Sequence, residues 1–228
     1  MKKSIAFLFI LFVLVATGCK KNQLKKPTDV SFKMDINRNT SANGKLVFTS
    51  GTILLASFDV EGEREEGDPI AFTRSFSSGL LVNFSPDNSI SEIQYDIPQG
   101  VYTSLDVNFS TFDDFGGNTI VVNGIYTNNA SNDIPVRYEF LSSEYFSISG
   151  EDYSGSSSIV LDKDTPANTL IKLDPIHWFS IITTNMMENA DLVNVGGIMT
   201  ILINESVNDN IYDLIADRID ESTEAVFN

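Results

Sequence analysis

Residues 29–36 read DVSFKMDI, and their reading decides the fold. Val30, Phe32, Met34 and Ile36 are apolar, while Ser31, Lys33 and Asp35 between them are polar. Alternation with a period of two puts successive side chains on opposite faces of a pleated strand. One face of this segment is therefore expected to meet a core and the other to meet water. A helix would instead need apolar residues at spacings of three and four.

The same period runs outward along the chain. Leu54, Ala56, Phe58 and Val60 repeat it, as do Ile70, Phe72 and Phe76, with Arg74 sharing the apolar phase. Further runs are Leu80-Val82-Phe84, Ile93-Tyr95-Ile97, Leu105-Val107-Phe109, Ile120-Val122, Ile134-Val136-Tyr138-Phe140, Ile159-Leu161 and residues 170–176. Breaker clusters separate them: Ser41-Ala42-Asn43-Gly44, Glu66-Gly67-Asp68-Pro69, Pro86-Asp87-Asn88 and residues 128–133. Many short strands with turn signals and no alternating helices predict a mainly β chain, with an antiparallel β-sandwich over residues 29–176. A parallel sheet would call for crossover helices, and the pattern leaves no room for them before residue 177.

Residues 177–228 differ in texture. Trp178, Ile181, Ile182 and Met186 fall at helical spacing, and residues 198–203 (IMTILI) read as a short apolar strand after Gly196-Gly197. Ile211, Leu214, Ile215 and Ile219 form one stripe of a further helix. The segment is expected to be a helix–strand–helix addition packed on the sandwich, contributing one or two short C-terminal helices.

Within the strand-rich part, Ile97-Pro98-Gln99-Gly100-Val101-Tyr102 is the most distinctive local feature. Pro98 fixes φ, Gly100 permits a positive φ, and the chain then re-enters a strand at Tyr102. This I-P-x-G-x-Y corner resembles one that recurs in transthyretin-like and related immunoglobulin-like sandwich modules of bacterial envelope lipoproteins. The resemblance covers about 80 residues and implies a fold without any chemistry.

The N-terminus carries an address. A basic start, Met1-Lys2-Lys3, precedes an apolar run over residues 5–16. As a helix that run is about 18 Å long, too short for a hydrocarbon core of about 30 Å. Small residues follow, Ala16-Thr17-Gly18, and end at Cys19, the only cysteine in the chain. This pattern reads as a signal peptide over residues 1–18. It resembles the lipobox of Gram-negative lipoproteins, although Ala16 stands where that motif often has Leu. The resemblance implies cleavage between Gly18 and Cys19 and acylation of Cys19, which would anchor the protein in the outer membrane, on its periplasmic or its surface side. Residues 20–28 (KKNQLKKPT) read as a flexible tether with four lysines and no acid.

Charge divides the chain sharply. Of 228 residues, 15 are Lys or Arg and 31 are Asp or Glu, for a net charge of −16. Residues 1–28 hold six of those cations and none of the acids, so the remainder carries nine against 31, or −22. A body this acidic repels a phosphate backbone, which excludes nucleic acid as a partner. One Cys excludes an intramolecular disulfide, and one His excludes two-His metal sites.

Few residues suggest chemistry. His177, beside Trp178, reads as structural or capping, because no G-x-S-x-G elbow accompanies it. Asp113-Asp114, Asp162-x-Asp164 and Asn208-Asp209-Asn210 place oxygen atoms on loops, the chemistry that Ca²⁺ needs, yet none has EF-hand spacing. Glu61-x-Glu63-Arg64-Glu65-Glu66 reads as a solvated hairpin tip. The expectation is a non-catalytic, lipid-anchored binding or adhesin-type module of the cell envelope. Its partners are the bilayer, through acylated Cys19, and an unidentified envelope protein or glycan. No catalytic residue, cofactor or metal ligand is assigned. The alternatives are a small glycosidase-like hydrolase, which needs only two suitably spaced carboxylates, and a calcium-dependent binding module.

Overall fold

The computed structural model describes residues 26–112 and 117–228. The first strand, β1 (Pro27–Ile36), forms where the alternation is cleanest, and Val30, Phe32, Met34 and Ile36 are all fully buried. Its polar phase is not uniformly wet: Asp35 is buried too, paired at 2.6 Å with Arg38 one turn further on.

The long strand β2 (Leu46–Arg64) organises the rest. One of its edges pairs with β3 (Ile70–Asn83). Its other edge is shared end to end, first by β6 (Ile120–Thr127) and then by β5 (Gly100–Thr111). A bulge between Leu55 and Ser57 marks the handover, and the sheet forks there. One branch continues through β7 (Asp133–Phe140) to β12 (Ile198–Ile203) and β11 (Leu192–Val195). The other continues through β8 (Tyr145–Asp152), β13 (Glu224–Phe227) and β10 (Ala167–Leu173) to β1 and finally β4 (Gln94–Pro98). The short β9 (Ile159–Leu161) lies on β5.

The expected mainly β chain is what the described residues form, but the sheet is mixed and not purely antiparallel. β1 pairs with β10, β8 with β13 and β7 with β12, all in parallel. The first of these lies wholly before residue 177, where no crossover helix was expected to fit. The crossover is made of strands instead: β2 to β9 fill the chain between Ile36 and Ala167, and a parallel pair needs only a long connection.

The C-terminal segment also departs from its expected form. The first helical stretch is broken into α1 (Pro175–Trp178), a 3-10 turn (Phe179–Ile181) and α2 (Thr184–Glu188). A second helix, α3 (Asp209–Ala216), stands where the apolar stripe placed it. After it comes β13, which lies between β8 and β10 in the sheet.

Aromatic side chains pack the far end of the second branch against β2. Phe32 on β1 has its ring centroid 5.0 Å from that of Phe58 on β2, strands that are not hydrogen-bonded neighbours. Tyr95 and Phe227 close around the same ring at 6.0 and 6.2 Å. At the I-P-x-G-x-Y corner, Gly100 has φ +151° and the buried Tyr102 hydroxyl donates to the Pro98 carbonyl at 2.6 Å. That bond ties the start of β5 to the end of β4 and satisfies a phenol that the core would otherwise strand.

Candidate functional site

β1 gives the molecule two ends. At Pro27 it pairs with Pro98, beside the corner, and the Gln99 amide donates to the Lys26 carbonyl at 2.8 Å. At ten residues, nine steps of about 3.3 Å, the strand carries the chain about 30 Å to Ile36. Just beyond, the Asn37 side-chain amide donates to Asp174 Oδ1 at 3.0 Å. Asp174 caps α1 by accepting from the His177 amide at 3.0 Å, with Pro175 at the first helical position.

This far end contains a cleft of about 390 Å³. One wall is the Ser41–Gly44 turn, in which Ser41 Oγ accepts from the Leu46 amide at 2.9 Å. The opposite wall is the broken helical segment, and its apolar lining comes from Leu46, Tyr126, Ile176, Phe179, Ile182 and Met187. Polar groups converge at the rim, among them Asn43, Asp174, His177, Ser180 and Thr184. A mostly apolar concavity with a few placed polar groups is the usual form of a small-ligand site.

Two ionic clusters hold the walls. In the first, Glu188 Oε1 accepts from the Tyr126 hydroxyl at 2.7 Å and the Asn129 amide at 2.8 Å, with Lys45 at 3.7 Å. The hydrogen bond from Tyr126 draws the Glu188 carboxyl below the usual glutamate range. Burial, reinforced by that carboxylate, pushes Tyr126 up to about 12. In the second, Glu221 Oε2 lies 2.9 Å from Arg218 Nε and 3.1 Å from His177 Nε2. Arg218, followed by His177, lowers the Glu221 carboxyl as well. Arg218 also reaches Ser180 Oγ at 3.1 Å, and Trp178 Nε1 donates to the Glu221 carbonyl at 3.2 Å. The imidazole Nε2 thus lies against the Arg218–Glu221 ion pair.

The signs of these shifts set a pH dependence. A carboxyl lowered in the folded protein stabilises it above the unfolded value, near pH 4.3 for Glu, and that stability is lost as pH falls through the lower folded value. Thermal unfolding followed from pH 7 to pH 3 should show the midpoint dropping below about pH 4.3. Glu188→Gln should flatten part of that drop; an unchanged profile would remove Glu188 from the account.

The other residues singled out by sequence are dispersed. Gly18, Cys19 and the Asp113-Asp114 pair lie outside the described residues. Asp162 Oδ1 accepts from the Asp164 amide, and Asp164 pairs with Lys163. Asn208 bridges the Asp191 amide and the carbonyls of Asp191 and Leu202 from a left-handed conformation, φ 54°. Asp209 accepts from the Asn210 amide. These oxygens terminate turns, and among the described residues no three His, Cys, Asp or Glu side chains gather as a metal site. Glu61, Glu63, Glu65 and Glu66 are exposed at the Pro27 end, as expected of a hairpin tip.

Sequence reasoning missed the cleft because its walls come from segments more than 120 residues apart. It also missed Glu188 and Glu221, which no local motif marks. The one local signal was Arg218, three residues before Glu221 and able to pair with it. Set against known proteins, the chain matches no family model, no curated protein and no solved structure.

Proposed function

We propose that the chain is a non-catalytic, lipid-anchored binding protein of the Gram-negative cell envelope, held by Cys19 in the outer membrane. Its body is read as a variant of the transthyretin- or immunoglobulin-like sandwich. A tyrosine hydroxyl bonded back across the Pro98–Tyr102 corner supports that reading. The cleft beside His177 is read as the ligand site, for a glycan or an envelope-protein segment.

The observation that carries the reading is one of placement. The described chain enters β1 near Pro27, and the cleft lies at the other end of that strand, about 30 Å away. A ligand site on an anchored protein needs to stand clear of the bilayer, and this separation supports the reading.

Cys19→Ser tests the anchor. Two or three acyl chains hold a protein stably and none does, so the variant should leave the membrane fraction and the detergent phase for the aqueous phase. Unchanged partitioning would overturn the lipoprotein reading. For the cleft, Ile182→Asp should abolish binding to envelope glycans or proteins that the unaltered protein retains. Equal retention would move the site elsewhere.

A further inference from the structure

The Pro27 end has a groove of its own, of about 310 Å³, and the preceding chain begins at its rim. Its floor is apolar: Val101 on β5 pairs with Val160 on β9, next to Leu161. Val160 is 69% exposed. Its rim carries Glu65, Glu66 and Asp162, and no cation is among its lining residues. Gln99 completes the rim, and its amide holds the Lys26 carbonyl.

We propose that this groove is the docking site of the chain's own tether, with Leu24 on the Val101–Val160 floor and Lys21 and Lys25 against Glu65, Glu66 and Asp162. The proposal rests on reading residues 19–28 as a tether. Three observations select this occupant. Leu24 is two residues before Lys26 in sequence, and the Lys26 carbonyl is fastened to the rim by the Gln99 amide. The segment KKNQLKK has one apolar residue flanked by two lysine pairs and no acid, the complement of an apolar floor with an acidic rim. Finally, the groove is at the end where the chain approaches the membrane, so nothing has to be brought from a distance. Docking would shorten the tether and fix which side of the body faces the bilayer. The lysines could instead lie against anionic headgroups, and that is the competing occupant.

Limited trypsin digestion of the full lipoprotein in neutral detergent micelles distinguishes them. The Lys26–Pro27 bond resists trypsin, so the cuts to time by mass spectrometry follow Lys21 and Lys25. The docked tether should be cut slowly. Cutting should accelerate at least tenfold in Leu24→Asp, in the double variant Glu65→Gln/Glu66→Gln, and in 0.5 M NaCl, where ionic contacts are screened to about 4 Å. Glu65 and Glu66 are exposed, so the double variant should keep its thermal midpoint, which is checked in parallel. Equal rates in all proteins would overturn the proposal. So would a tether that is cut rapidly in neutral micelles and protected only by phosphatidylglycerol vesicles, which assigns the lysines to headgroups. The same digestion of Cys19→Ser protein keeps the two readings separate, because docking does not require acylation.

Discussion

Phe32→Ala is expected to destabilise the protein by about 3–5 kcal/mol, the usual cost of emptying a buried phenylalanine site. The residue is fully buried, and its ring touches those of Phe58, Tyr95 and Phe227. Those three partners come from β2, β4 and β13, so one side chain joins four strands that span most of the chain. The cavity cannot close easily, because two of the neighbours are held by further rings: Phe58 stacks on Phe109, and Tyr95 lies against Phe72. Since whole domains are stable by only about 5–15 kcal/mol, this one change removes a large part of the total. Urea unfolding should show a lower midpoint with an unchanged slope. Phe32→Leu, which keeps most of the volume, should lose clearly less. A loss under 1 kcal/mol for Phe32→Ala would mean that β1 is not held against β2 at this point.

Gly150→Ala should cost at least about 3 kcal/mol, the upper range for overpacking, although it adds a single methyl group. Gly150 sits where β8 stops pairing with β5 and begins pairing with β13: Ser149 is opposite Asp106, and Gly150 is opposite Ala225. A Cβ there would lie 2.3 Å from the Leu105 carbonyl oxygen and 2.5 Å from the Phe227 ring. The ring could turn aside, but the carbonyl belongs to the backbone of a central strand and cannot. Phe227→Leu should therefore restore only part of the lost stability, which the double variant measures by urea unfolding. Full restoration would show that the ring, and not the strand spacing, sets the limit.

Much of this architecture can be read from residue patterns, and the part that cannot shares one physical cause. β1 and β7 alternate over seven or eight residues, and their apolar phases are buried as expected. The turns at Ser41–Gly44 and at residues 128–133 stand where Asn and Gly placed them. By contrast β8 has only Phe146 and Ile148 before a glycine, and β11 and β13 have four residues each, too few to establish a period. Strand partners leave no local trace at all. Nothing within residues 29–36 says that the neighbour is residues 167–173, running parallel. The candidate site divides in the same way. Cys19 is marked by its immediate neighbours, whereas the cleft depends on Glu188 and Glu221 meeting partners 62 and 44 residues away.

The position of β13 bears on how the chain folds. Glu224–Phe227 is inserted between β8 and β10, and β10 in turn carries β1, which sits at the other end of the described chain. This interior part of the sheet therefore joins segments from both ends of the described chain and cannot be completed until they meet. Folding that waits on such distant contacts is slow. Until β13 inserts, β8 and β10 each present an unpaired edge, the kind of exposure that invites pairing with another chain.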